Sequence, residues 1–221
     1  MRNKFLFVFG LIIISVFLIP SCKSQPPFSV EETLPASSLS AKTAYLGIYM
    51  AEWNRTYFPL MDAGIYNAGL NEIADEYNAR QKEKVDALQV RLSDYYKSAY
   101  SAEMVNSSYT IKDEKYDLTY FTKANDGIKQ EIADICRQNN TEYALVIIGQ
   151  MATLGVGGFG INGSNRLGFQ ATLFDKDGKL VVTGKANSSA AVLKSRDVDR
   201  FISFFDEAEE NLKSMINAMG G

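Results

Sequence analysis

The stretch from Tyr143 to Ala186 constrains the fold more than any other part of the chain. Tyr143-Ala144-Leu145-Val146-Ile147-Ile148 is an unbroken apolar run of strand length, which is what a strand covered on both faces looks like. A glycine loop follows, from Gly155 to Gly163. Beyond it, Leu167, Phe169, Ala171 and Leu173 alternate with Gly168, Gln170, Thr172 and Phe174. Leu180, Val182, Gly184 and Ala186 alternate in the same way with Val181, Thr183, Lys185 and Asn187. The two alternating runs meet at Asp175-Lys176-Asp177-Gly178, so they read as an antiparallel hairpin with its turn at Asp177-Gly178.

Helical periodicity surrounds this sheet signal. From Ile65, the residues Tyr66, Leu70, Ile73 and Tyr77 recur on one helical face, and Val85, Leu88, Leu92, Tyr95 and Ala99 repeat the pattern. The polar stretch Asn78–Lys84 between them leaves one long helix or two shorter ones open. Asn125-Asp126 can cap a helix with Ile128, Ile132, Ile135 and Cys136 on one face, ended by Asn139-Asn140. Ser195 can cap a last helix whose stripe is Val198, Phe201, Ile202, Phe205, Ala208, Leu212 and Met215. Ala44–Met50 is apolar enough for a central strand. Ser108–Ile111 and Leu118–Phe121 are short strand candidates. The expectation is an α/β (α+β) fold: a single mixed sheet with helices packed on it and a carboxy-terminal β-hairpin followed by a helix.

The chain opens on an export pattern. Arg2 and Lys4 precede the apolar segment Phe5–Ile19, and Ile19-Pro20-Ser21-Cys22 follows. This resembles the bacterial lipobox, with Pro20 where a small residue is usual. The resemblance implies lipidation of Cys22 and a membrane anchor, since three acyl chains exceed the two signals that stable residence needs. The other readings are an uncleaved anchor and a plain signal peptide with Cys22 incidental. The expected organisation is a lipoprotein signal peptide over 1–21, a Ser/Pro-rich tether over 22–43 and one α/β domain over 44–221. Lys23 is not the aspartate that retains many enterobacterial lipoproteins in the inner membrane, so the analogy favours the outer membrane.

Composition narrows the chemistry. The chain of 221 residues has no histidine, which removes Ser-His-Asp, Cys-His and zinc-hydrolase sites. Cys22 and Cys136 are its two cysteines, and Cys136 falls on an apolar stripe as a buried thiol. Without Arg2 and Lys4 the balance is 21 basic against 26 acidic side chains, so no basic footprint for nucleic acid remains. Gly155-Val156-Gly157-Gly158-Phe159-Gly160 has the G-x-G-x-x-G spacing, but a strand pattern follows it where a dinucleotide site needs a helix. It reads as a strand connection, with no nucleotide, other cofactor or metal expected. The carboxylates Asp62, Glu72, Asp75, Glu76, Glu207, Glu209 and Glu210 read as solvated helix faces.

Two aromatic-rich features remain for recognition. Trp53–Leu60 reads as an aromatic loop, and Tyr95, Tyr96, Tyr100, Tyr109, Tyr116 and Tyr120 concentrate tyrosine, a side chain suited both to cores and to binding surfaces. The candidate ligand or partner contacts are Trp53, Tyr57, Phe58, Gly157 and Phe159.

From Asn125 to Ser188 the chain resembles the periplasmic α/β domain shared by the curli-secretion lipoproteins, the TolB amino-terminal domain and the penicillin-binding-protein activator lipoproteins. The carriers are a helix ending in a polar pair, the strand Tyr143–Gly149 and the hairpin turn Asp175-Lys176-Asp177-Gly178-Lys179. The resemblance implies a non-catalytic domain that binds envelope proteins or assembles with itself. The alternative reading is a lipoprotein that binds a small apolar or peptidic ligand between the glycine loop and the aromatic loop. A hydrolase would need a site built from carboxylates alone.

Overall fold

The computed structural model describes residues 26–54, 64–154, 164–192 and 198–221. The apolar run at Tyr143 becomes β4 (Tyr143–Leu154) and lies inside a mixed sheet. On one side it pairs in parallel with β2 (Thr43–Asn54), on the other antiparallel with β5 (Ser164–Asp175). The sheet continues from β5 to β6 (Leu180–Asn187) and β1 (Phe28–Glu31), and from β2 to β3 (Met104–Asn106), in the order β1-β6-β5-β4-β2-β3. A two-residue β7 (Ala191–Val192) pairs with the start of β5. The helices are α1 (Ala36–Leu39), α2 (Gly64–Tyr100), α3 (Asp126–Asn139) and α4 (Val198–Met219). This is the expected α/β class, a single mixed sheet carrying helices, with the hairpin β5–β6 preceding the last helix.

Both faces of the sheet are covered, which explains why β4 is apolar at successive positions. Leu145, Ile147 and Met151 join the core under α2 and α4, together with Phe169, Leu173, Val182 and Ala186. Ala144, Val146 and Ile148 point the other way, into a second core with Ile132 and Cys136 of α3 and with Tyr109, Phe121 and Phe174. Cys136 is fully buried as a free thiol, and burial pushes its pKa up.

α2 is one helix of 37 residues. Its polar middle does not break it because α4 lies alongside and supplies counter-charges: Arg80 pairs with Asp199, and Lys84 with Asp206 at 3.3 Å. These contacts advance together along both chains, with Arg91 reaching Glu209 and Tyr100 reaching Ile216. The two helices are therefore parallel.

Local chemistry sets the turns. At the hairpin the Asp175 carboxylate accepts from the backbone N–H groups of Asp177 (3.0 Å) and Lys179 (2.9 Å). Gly178 has φ +76, and a Cβ there would stand 2.1 Å from the Lys129 carbonyl oxygen, so only glycine lets the turn seat on α3. Gly47, with φ +100, sits at a bulge where the β2–β4 register shifts. The next amide, Ile48 N–H, donates to Gln89 Oε1 of α2 at 3.1 Å. Asn125 caps α3 by accepting from Ile128 N–H at 3.0 Å, and Asn140 ends it in the left-handed region.

Three expectations change. The segment read as a tether carries β1 and α1: Phe28, Ser29, Val30 and Glu31 pair with Ala186, Lys185, Gly184 and Thr183, and Leu39 is fully buried. Phe28 and Val30 pack against the core, in register beside Ala186 and Gly184 of β6, a four-residue alternation too short to outweigh the Ser/Pro composition around it. Ser108–Ile111 and Leu118–Phe121 are not strands. The edge strand lies just before them at Met104–Asn106, and 107–125 crosses the sheet without a strand or helix. Trp53, expected to open a loop, is inside β2.

Candidate functional site

The 19 residues of 107–125 hold most of the tyrosine concentration outside α2 and lie on the face of the sheet shared with α3. Irregular segments of this length in a compact domain are usually functional, and this one is fastened by hydroxyl groups. The Tyr49 hydroxyl, on β2, accepts from Tyr109 N–H at 3.0 Å and lies 2.7 Å from the Tyr109 carbonyl and 2.8 Å from that of Leu46. Tyr116 donates to the Met50 carbonyl at 2.6 Å. Tyr109 donates to Glu131 Oε2 at 2.8 Å, and Lys112 closes on the same carboxylate. Asp117 accepts from the Thr119 N–H and hydroxyl. Beneath these bonds Phe121 packs edge-on to Tyr109 and Phe174, and Tyr120 to Phe121 and Tyr116. Tyr116, Leu118 and Tyr120 keep part of their surface exposed, a short row of rigid aromatic and aliphatic groups held in place.

The electrostatics are those of a clasp. The Lys112 and Tyr109 hydrogen bonds hold the Glu131 carboxyl below its ordinary value. The Thr119 hydroxyl does the same for Asp117. Burial, with the Glu131 bond next, keeps the Tyr109 phenol protonated far above its ordinary range. A general acid would need the opposite shift in its carboxyl.

The other charged assembly is the seam between α2 and α4. Arg91 grips Glu209 with Nε at 2.9–3.0 Å from both oxygens and Nη2 at 2.7 Å from Oε2, and Lys213 adds a contact at 3.0 Å. Burial raises the Glu209 pKa, but the Arg91 and Lys213 bonds outweigh it and hold the carboxyl below its ordinary value. Glu209 is thus a correction to the expectation of a solvated face, its side chain being 10% exposed. The signal was available, since 209 follows Phe205 by four and precedes Leu212 by three on the buried stripe. Glu207 is also occupied, accepting from Ser189 N–H and hydroxyl.

Two hollows open among the described residues. One, of about 690 Å³, runs along the ionic seam between Arg80, Lys84, Arg91, Asp206 and Glu209. The other, of about 600 Å³, lies at the hairpin turn between Lys123, Lys129, Asp177 and Lys179. Both are lined in part by charged side chains. Among the described residues no group of three or more Cys, Asp or Glu side chains is placed to hold a metal.

Of the expected contact residues, Trp53 is 6% exposed and edge-packed against Tyr77 (5.4 Å) and Phe201 (5.6 Å), a core position. Tyr57, Phe58, Gly157, Phe159 and the lipidation candidate Cys22 lie outside the described residues. The tyrosines divide: Tyr96 is buried in the core, Tyr95 and Tyr100 tie α2 to Asn217 and Ile216 at the end of α4, and Tyr109, Tyr116 and Tyr120 build the clasp. Tyr49 and Glu131, which anchor that clasp, were not anticipated; Tyr49 sits in an apolar strand run whose pattern conceals a hydroxyl role. The G-x-G-x-x-G spacing falls between β4 and β5, which pair antiparallel from Leu154↔Ser164 onward. The element after it is a strand and not the helix of a dinucleotide site.

By sequence the chain matches no family model and no curated relative. Among solved structures it is similar to a variant PelC dodecamer from Paraburkholderia phytofirmans (11% identity, 88% of this chain and 98% of that one, TM-score 0.40). It is also similar to a homolog from Helicobacter pylori described as a putative neuraminyllactose-binding hemagglutinin (12%, 85% and 86%, 0.39). A third is a lipoprotein from Neisseria meningitidis (10%, 79% and 98%, 0.30). At these scores the likenesses do not establish a shared fold.

Proposed function

We propose that this chain is a lipid-anchored bacterial cell-envelope protein that works without catalysis, by binding envelope proteins or assembling with itself. The observation that carries the reading is the opening pattern: a basic start, the apolar segment Phe5–Ile19 and the acceptor motif Ile19-Pro20-Ser21-Cys22. The state of the carboxylates supports the non-catalytic part. Glu131, Glu209 and Asp117 are each held ionised by named partners, so they act as fixed charges. For the contact itself, Tyr116, Leu118 and Tyr120 on the clasped segment are the described groups that best fit a protein partner, because rigid amphipathic aromatics lose little freedom on binding.

Palmitate labelling of the wild type against Cys22→Ser tests the anchor: labelling should vanish in the variant, and equal labelling defeats the reading. Crosslinking in intact cells from a photoreactive group at Leu118 tests the surface. A discrete protein adduct is the expected result; adducts from a group at Asp86, on the solvent side of α2, and none from Leu118 would move the contact elsewhere.

A further inference from the structure

β1 ties the domain closely to whatever holds residue 22. A single row crosses the sheet from Phe28 to Ala186, Phe169, Gly149 and Met50. The chain before Phe28 continues toward the Leu154 and Ser164 end, since the Pro27 carbonyl accepts from Asn187 N–H at 2.8 Å. Six residue steps separate Phe28 from Cys22, so Cys22 lies at most about 22 Å beyond that row.

α2 extends further at the same end. Gln89 meets Ile48, and Tyr77 meets Trp53. Twelve helical residues, about 18 Å, thus run beside five strand residues, about 17 Å, so the helix is aligned with the strand and antiparallel to it. Trp53 stands about 10 Å past the row, and Gly64, thirteen residues before Tyr77, about 19 Å past Trp53. The start of α2 therefore lies about 29 Å out, some 7 Å beyond the full reach of the chain from Cys22. That excess matches the thickness of one polar interfacial layer of a bilayer, roughly 5–8 Å.

We propose that the domain stands on the membrane by this end, with the leading turns of α2 seated in the interfacial layer of the bilayer that holds the anchor. The inference rests on the lipid anchor at Cys22 proposed above. The sequence suits an apolar interfacial contact: Gly64–Ala74 contains Ile65, Tyr66, Leu70 and Ile73 with Glu72 as its one charge, and no Lys or Arg occurs from 64 to 79. None of the described helices is long and apolar enough to cross a membrane, and the contact involves the first turns of α2 end-on, without a span. The opposite end, with the turn Lys176–Lys179 and the end of α3 at Asn139, then faces away from the bilayer.

The test uses full-length lipidated protein in phosphatidylethanolamine/phosphatidylglycerol vesicles, with a nitroxide on Asn67→Cys, about 25 Å past the row, or on Asp177→Cys. Cys136 is fully buried and leaves the introduced thiol as the labelling site. Collisional accessibility should place the label at 67 in the interfacial layer and the label at 177 in water, and strong salt should leave the difference unchanged. Equal exposure to water at both positions, with the protein still sedimenting with the vesicles, overturns the orientation and leaves the anchor standing. Loss of the contact in strong salt overturns its apolar character. Protein that carries no acyl chain and stays in the supernatant defeats the anchor, and this inference with it.

Discussion

The two faces of the sheet are closed by different means. One lies under α2 and α4, two long parallel helices, and its aromatic side chains interlock in a series: Trp53 on Tyr77 and Phe201, Tyr77 on Phe205, Phe205 on Phe169. The other is covered half by α3 and half by 107–125, which has no backbone ladder of its own. Its aromatic series, Phe174 to Phe121 to Tyr109 and through Tyr120 to Tyr116, ends in hydroxyls that bond to Glu131 and to the Met50 carbonyl of β2. The helical face combines area removed from water with the ion pairs of the α2–α4 seam. The clasped face relies more on hydrogen bonds from an irregular segment, and it carries the surface proposed above for a partner.

The largest effect should come from the helical face. Phe205→Ala removes a ring that is 2% exposed between two helices and the sheet, and should cost about 3–5 kcal/mol in denaturant unfolding, because long helices collapse poorly around a void. Phe121→Ala, at 1% exposure, should fall at the lower end of that range and raise amide exchange over 107–125 well before the helices respond. Equal loss of protection on both faces would mean that they unfold as one unit and that the distinction has no energetic content.

Next in size is the clasp itself. Tyr49→Phe leaves the Tyr109 N–H without its acceptor and should cost about 1–3 kcal/mol, with faster exchange confined to 107–125. Unchanged exchange there would show that packing of Phe121 alone holds the segment.

The same contrast explains what could be read in advance. β4, the hairpin β5–β6, α3 with its caps and the stripe of α4 were legible because burial and turn chemistry write themselves as period two, period 3.6 and Asp-Gly. The 37-residue unity of α2 was not, because the partners of Arg80 and Lys84 are Asp199 and Asp206 on a helix more than a hundred residues later. β1 escaped notice because four alternating residues among serines and prolines carry too little pattern. The clasp was half visible: its tyrosines were conspicuous, but the segment looked like strands, since Tyr, Thr and Phe favour sheets. What decides their role is Tyr49 and Glu131, distant in sequence and ordinary in their own contexts. Trp53 is the same lesson reversed, a residue that looks like a surface aromatic and lies under Phe201.

The smallest effect is acid sensitivity, and it compares the faces through one carboxylate each. Glu209 and Glu131 both titrate below the ordinary glutamate value of 4.5 in the folded protein. A depressed folded pKa means that each contributes stability fully above the unfolded value, losing it as pH falls below 4.5 and through the folded pKa. Glu209, largely buried between Arg91 and Lys213, should govern more of this acid limb than Glu131, whose partner Lys112 is exposed and screened by solvent. Glu209→Gln should therefore flatten the loss of stability below pH 4.5 more than Glu131→Gln, measured as unfolding midpoints against pH. If the two variants flatten the limb equally, the buried ion pair is no stronger than the exposed one. In that case burial of Glu209 adds nothing to its pairing with Arg91, and apolar contacts such as those of Phe205 carry most of the seam.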